Sequence, residues 1–257
     1  MTHELRTHDG LMLRYLSWSR DPDPALPPVV LLHGFAADAR TNWEGPGIVE
    51  ALVARRRRVY ALDARGHGES DGPHDDTYYG EALMARDVSL LIDRTGARDV
   101  HVVGYSMGAV VALLAAARDS RISRLVAGGV GAGAVEVGGL DTRVMPPELV
   151  SAALTAEDAA DAPERTRAFR ALADAVGADR LALAAQIRAV HRGALPLDRI
   201  VVPTLVLTGD GDALATRPEV LASSIAGAEL TVLPGDHLTV VRDPGFAGAI
   251  GSFLARR

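Results

Sequence analysis

Two serines in this chain have a glycine two places away on each side: Ser106 in GYSMG (residues 104–108) and Ser70 in GESDG (68–72). With 26 glycines and 11 serines in 257 residues, independent placement gives about 0.1 such matches, so the pattern alone does not identify a nucleophile. Context separates the two. GYSMG follows the apolar, β-branched run DVHVVGY and leads at once into AVVALLAAARD, so strand, sharp turn and helix meet at Ser106. Glycines at 104 and 108 let strand and helix pass closely, and the helix start offers unpaired N–H groups to a developing oxyanion. GESDG instead runs from a strand end into DGPHDD, a loop sequence, and Ser70 reads as a turn or capping residue.

A serine hydroxyl attacks a carbonyl only when a base takes its proton. On a strand-turn-helix elbow the base comes last in the chain, and of eight histidines only His191 and His237 follow Ser106. His191 falls in a stretch of helical period. His237 falls in PGDHL, just past the strand ELTVLP, where open α/β sheets place their sites, and is the expected base. The acid that orients it should also lie beyond a strand end. LTGDGDAL offers Asp210 and Asp212; Asp210 follows the strand immediately and reads as turn support, which favours Asp212. Asp236 reads as an independent loop carboxylate, with Glu136 and Asp141 as weaker substitutes. Two N–H donors complete the arrangement: Met107, next after the nucleophile, and Phe35 in HGF (33–35). His33 reads as structural. Trp43, with Phe35 and Met107, is a candidate wall for an apolar substrate pocket.

These residues need a scaffold that brings strand ends together. Apolar β-branched runs at 29–33, 58–63, 99–105, 124–130, 204–209 and 229–234 alternate with helical segments near 47–56, 79–95, 107–119, 216–225 and 244–255. That alternation predicts an α/β fold, a mostly parallel sheet with helices on both faces. HELRTHD and LMLRYLSW, joined through Asp9-Gly10, predict an edge hairpin. Between about 133 and 197 no strand is evident, only Ala-rich, acid-rich helical stretches, so a helical insertion is expected to divide a core of 1–132 and 198–257.

Composition narrows the chemistry. A net charge of −6 gives no basic face for nucleic acid. The basic run RRRR at 55–58 reads as cations closing a helix. Without cysteine or lysine, with all 27 of the Lys+Arg total being Arg, thiolate, Schiff-base and Walker-type phosphate chemistry are excluded. The acid and histidine clusters at 67–76 and in GDGD lack metal-site spacing, so no metal and no cofactor are expected. GVGAGA at 129–134 matches a dinucleotide fingerprint weakly and reads as the exit into the insertion. MTHELRTHDG lacks a signal-peptide pattern, and the longest apolar run, at 109–117, is too short to span a bilayer, so no membrane partner and a cytoplasmic location are expected.

With HGF, DARGHGES (63–70), GYSMG, GDGD (209–212) and GDH (235–237) in this order, the chain resembles the α/β-hydrolase superfamily over nearly its whole length, as a serine-nucleophile, capped, esterase-like member. The resemblance implies Asp212 as the acid, since Gly209 to Asp212 matches the family's G-x-x-D. It implies a near-site turn at GHGES, and a cap at 133–197 that shapes substrate choice. The expected activity is hydrolysis of a small-molecule ester or related acyl bond through Ser106, His237 and Asp212. Carbon-carbon bond hydrolysis, a lyase reaction or a non-catalytic receptor are the alternatives on the same fold.

Overall fold

The computed structural model describes residues 1–256. The N-terminal hairpin forms as β1 (Thr2–Arg6) and β2 (Met12–Trp18), and the chain then enters the sheet's interior at β3 (Val29–Leu32). Helix α1 (Ile48–Ala54) leads to β4 (Val59–Leu62), α2 (Glu81–Thr95) to β5 (Val100–Tyr105), and α3 (Met107–Ala116) to β6 (Ile122–Gly128). After β6 come four α-helices, with short 3-10 turns between them and no strand: α4 (Ala132–Glu136), α5 (Pro147–Thr155), α6 (Arg167–Ala175) and α7 (Arg180–Arg188). The alternation resumes with β7 (Thr204–Gly209), α8 (Pro218–Ser223), β8 (Glu229–Leu233) and α9 (Pro244–Ala255).

The eight strands form one sheet in the order β1-β2-β4-β3-β5-β6-β7-β8. Pairing is antiparallel for β1/β2 and β2/β4 and parallel from β4 through β8. From β3 the chain goes first to one side, to β4, and then to the other, to β5. The strand order therefore reverses at β3, opening a crevice at the carboxyl ends of β3 and β5.

Interior strands buried on both faces must be apolar throughout, and β3, β5 and β7 are fully buried along their length. One core, built on α2 and α3 with Val88, Leu91, Val110 and Leu113, covers one face of the sheet, and extends to Leu154, Leu183 and Ile187 of the insertion. The other core packs α1 and α9 against the opposite face through Ile48, Leu52, Phe246 and Phe253. The arginine run serves this face: Arg57 is buried and its guanidinium donates to the carbonyls of Pro27 at 2.9 Å and Leu254 at 2.5 Å. It bolts the start of β4 to the last helix.

Candidate active site

Ser106 stands between the last residue of β5 and the first of α3, with φ 53° and ψ −117°. That backbone region is costly for a side chain, about 1–3 kcal/mol, and persists because its surroundings leave no alternative. A Cβ at Gly104 would lie 2.2 Å from the Gly108 carbonyl oxygen, and one at Gly108 would lie 2.1 Å from that of Leu32. Only glycine lets strand and helix approach so closely, and the turn they force lifts the Ser106 hydroxyl toward the crevice.

His237 Nε2 lies 3.0 Å from Ser106 Oγ. Its Nδ1 lies 2.9 and 2.8 Å from the two carboxylate oxygens of Asp212. Three residues from three loops thus form one hydrogen-bonded chain. Asp212 is buried, and its Oδ1 also accepts the N–H groups of Leu214 and Ala215, so it is held in place from its own loop. Asp210 does what a turn residue does: its Oδ1 accepts from Gly235 N–H at 3.0 Å. Asp236 accepts the Thr239 hydroxyl at 2.7 Å and the N–H groups of Thr239 and Leu238 at 2.9 Å, closing the turn that carries His237, and these bonds, the hydroxyl's first, hold its carboxyl below the usual range. Glu136 pairs with Arg143 and Arg217, and Asp141 with Arg143.

Two residues without an assigned role in the sequence complete the frame. Tyr105 donates its hydroxyl to the His237 carbonyl oxygen at 2.6 Å, and its ring stands 5.2 Å from the imidazole. Asn42 Oδ1 accepts the Gly34 N–H at 2.8 Å, while Ala36 N–H donates to His67 Nε2 at 3.2 Å. The N–H groups on both sides of Phe35 are therefore committed. Among the described residues, those of Phe35 and Met107 have no hydrogen-bond partner. His33 and His67 are structural: each Nδ1 donates to a backbone carbonyl, of Gly34 and Arg65, and each Nε2 accepts a backbone N–H. Burial, then the neighbouring His33, pushes His67 down to about 3.

Ser70 is a brace between turn and sheet. Its Oγ donates to the Asp63 carbonyl at 2.6 Å and accepts the Arg14 N–H at 2.8 Å, which fastens the GHGES turn to β2. His191 also departs from its sequence reading: α7 ends at Arg188, and the His191 N–H donates to the buried carboxylate of Glu81 at 2.6 Å. In GVGAGA, a Cβ at Gly131 would fall 2.3 Å from the Thr216 carbonyl oxygen, so tight packing accounts for that glycine.

A cavity of about 430 Å³ opens over Ser106 and His237. On the core side it is walled by Phe35, Leu238 and Val241, and on the insertion side by Met145, by Phe169 and Leu172 of α6 and by Val176 at its end. The rings of Phe35 and Phe169 meet at 6.3 Å across it. Arg170, on another face of α6, donates to the carbonyls of Ala153 and Ala156 at the end of α5 and so fixes the helix that lines the cavity. Trp43 is a correction to the sequence reading. Its side chain is fully buried in the core beneath α1 and does not reach the cavity, which its neighbours Thr41 and Asn42 line instead. An indole of that size in a short helical turn beside apolar α1 has more surface to bury inward than the crevice offers.

Comparison with known proteins agrees with this architecture. Residues 27–154 match the profile of the alpha/beta hydrolase fold family. A crystal structure of a hydrolase from Pseudomonas aeruginosa is 32% identical over 99% of this chain and 98% of its own, with a TM-score of 0.78. The enol-lactonase of Burkholderia xenovorans is 26% identical over 99% of this chain and 100% of its own, with a TM-score of 0.74. Among curated proteins, the mouse sn-1-specific diacylglycerol lipase ABHD11 is 38% identical over 108 residues, 41% of this chain and 33% of the lipase. Epoxide hydrolase B of Mycobacterium tuberculosis is 37% identical over 91 residues, 35% of this chain and 25% of its own. The chain thus spans a third or less of these curated relatives.

The chain belongs to the α/β-hydrolase family. Its relatives include a lipase, an epoxide hydrolase and an enol-lactonase. Among the described residues no helix is long and apolar enough to cross a membrane.

Proposed function

We propose that this protein is a serine hydrolase of small-molecule esters or related acyl compounds, acting through an acyl-enzyme. The observation that carries the reading is the unbroken chain from Ser106 Oγ to His237 at 3.0 Å and from His237 to Asp212 at 2.8 Å, opening into an apolar cavity. His237 Nε2 takes the hydroxyl proton as Oγ attacks the carbonyl. Asp212 keeps the other ring nitrogen protonated and stabilises the imidazolium. The free N–H groups of Phe35 and Met107 receive the negative charge that collects on the carbonyl oxygen. His237 then returns the proton to the departing alcohol, and water repeats the cycle in reverse to release the acid.

The helices between β6 and β7 serve as a cap over residues 133–197, and α6 supplies the wall that selects the substrate. Serine as the attacking residue favours acyl chemistry over epoxide opening, for which resembling families carry aspartate at that position. The protein works in the cytoplasm. The test is labelling with a fluorophosphonate followed by peptide mapping: a single adduct on Ser106, blocked by Ser106→Ala, is expected. Labelling at Ser70, or none in folded protein, would contradict the assignment.

A further inference from the structure

We propose that the substrate of this site carries an anionic group, a carboxylate remote from the scissile bond, and that Arg242 receives it. The inference rests on the acyl-hydrolase reading above and names the class of substrate within it.

The cavity's walls are apolar except at a few places, and among its described lining residues Arg242 is the one with a permanent charge. It sits in the turn Val240–Arg242, in the same loop as His237, and is exposed. Its guanidinium has neither a hydrogen bond nor an ion pair among the described residues, although a carboxylate is adjacent in sequence. That neighbour, Asp243, is committed elsewhere, since its Oδ1 accepts the Gly245 N–H at 2.7 Å to start α9. The other acids of the loops around the site are equally taken. Asp38 accepts the N–H and hydroxyl of Thr41 at 2.7 and 2.9 Å, Asp236 accepts from Leu238 and Thr239, and Asp212 holds His237.

A protein of net charge −6 repels anions at long range. One cation left without a counter-ion on the rim of an apolar cavity reverses that locally. A guanidinium receives a carboxylate through two parallel N–H bonds, and an apolar chain fills the space between that contact and Ser106.

The test compares esters matched in length and differing in charge. On the acyl side these are p-nitrophenyl hexanoate and the mono-p-nitrophenyl ester of adipic acid. On the alcohol side they are phenyl butyrate and 4-carboxyphenyl butyrate. In one of the pairs the ratio of kcat/KM, charged over neutral, is expected to fall about 5- to 20-fold in Arg242→Gln and further in Arg242→Glu. It should be kept by Arg242→Lys, and should shrink in the wild type as salt is raised. A ratio unmoved within twofold by Arg242→Glu in both pairs, with ester turnover intact, would overturn this proposal alone. Failure of the wild type to hydrolyse any of the four esters, or to be labelled at Ser106, would overturn the acyl-hydrolase reading and this proposal with it.

Discussion

The hydroxyl of Tyr105 donates to the carbonyl oxygen of His237 at 2.6 Å, so the residue before Ser106 holds the backbone of His237. Burial pushes the phenol's pKa well up, which keeps it a donor throughout the working pH range. Tyr105→Phe removes this one bond and keeps the ring. A bond of this kind is worth about 1 kcal/mol, so kcat should fall roughly 5- to 10-fold with KM nearly unchanged. Fluorophosphonate labelling of Ser106 should slow in step. Unchanged labelling would mean that the bond secures the fold and does not position His237.

The glycines of GYSMG make a separate prediction. A methyl at Gly108 would meet the Leu32 carbonyl oxygen at 2.1 Å, a backbone atom that cannot turn aside. Gly108→Ala should cost at least about 3 kcal/mol, read from urea unfolding, or fail to give soluble protein. A variant of wild-type stability would contradict the packing that forces the elbow.

Ser70 tests the distinction between the two serine motifs. Ser70→Ala loses a bond in each direction, to Asp63 and from Arg14, and should cost about 1–2 kcal/mol of stability. Ester turnover per folded molecule should stay within about threefold of wild type. A loss of turnover comparable to that of a broken triad would place the nucleophile in GESDG instead of GYSMG.

Glu81 gives the stability of the fold a pH dependence. Its carboxyl is buried and accepts the His191 N–H, and burial pushes it up to about 7 from an ordinary 4.5. Between those two values the folded protein binds more protons than the unfolded chain, so stability falls as pH rises through the window. Glu81→Gln keeps an acceptor for His191 and removes the charge. It should match wild type near pH 4.5 and exceed it by up to roughly 3 kcal/mol above pH 8, in paired denaturant titrations. A constant difference across that range would place the folded carboxyl near its ordinary value.

Much of this site is readable before any fold is known, because its parts are local. Ser106 announces itself by the strand before it and the helix after it, and His237 and Asp212 each follow a strand end. The interior strands are legible for the same reason, since burial on both faces demands unbroken apolar runs such as VVLL and TLVL. Tyr105 and Asn42 are silent in the sequence: their partners, His237 and Gly34, lie 132 and 8 residues away, and no periodicity marks a single side-chain bond to a loop backbone. Trp43 misleads because a large aromatic near HGF suits a pocket wall as well as a core. Only the direction of its turn, toward α1, separates the two. The insertion's wall is half legible: PERTRAFRALADAV shows a helix, but which face meets Ser106 depends on how Arg170 ties α6 to α5.

The most direct test of the central claim is the initial rate of hydrolysis of p-nitrophenyl esters of increasing acyl length, wild type beside Ser106→Ala. Turnover with a chain-length optimum, reduced by about three to six orders of magnitude in a folded Ser106→Ala, is the predicted result. A reduction of less than tenfold would contradict it, and Ser106 could then not be the nucleophile.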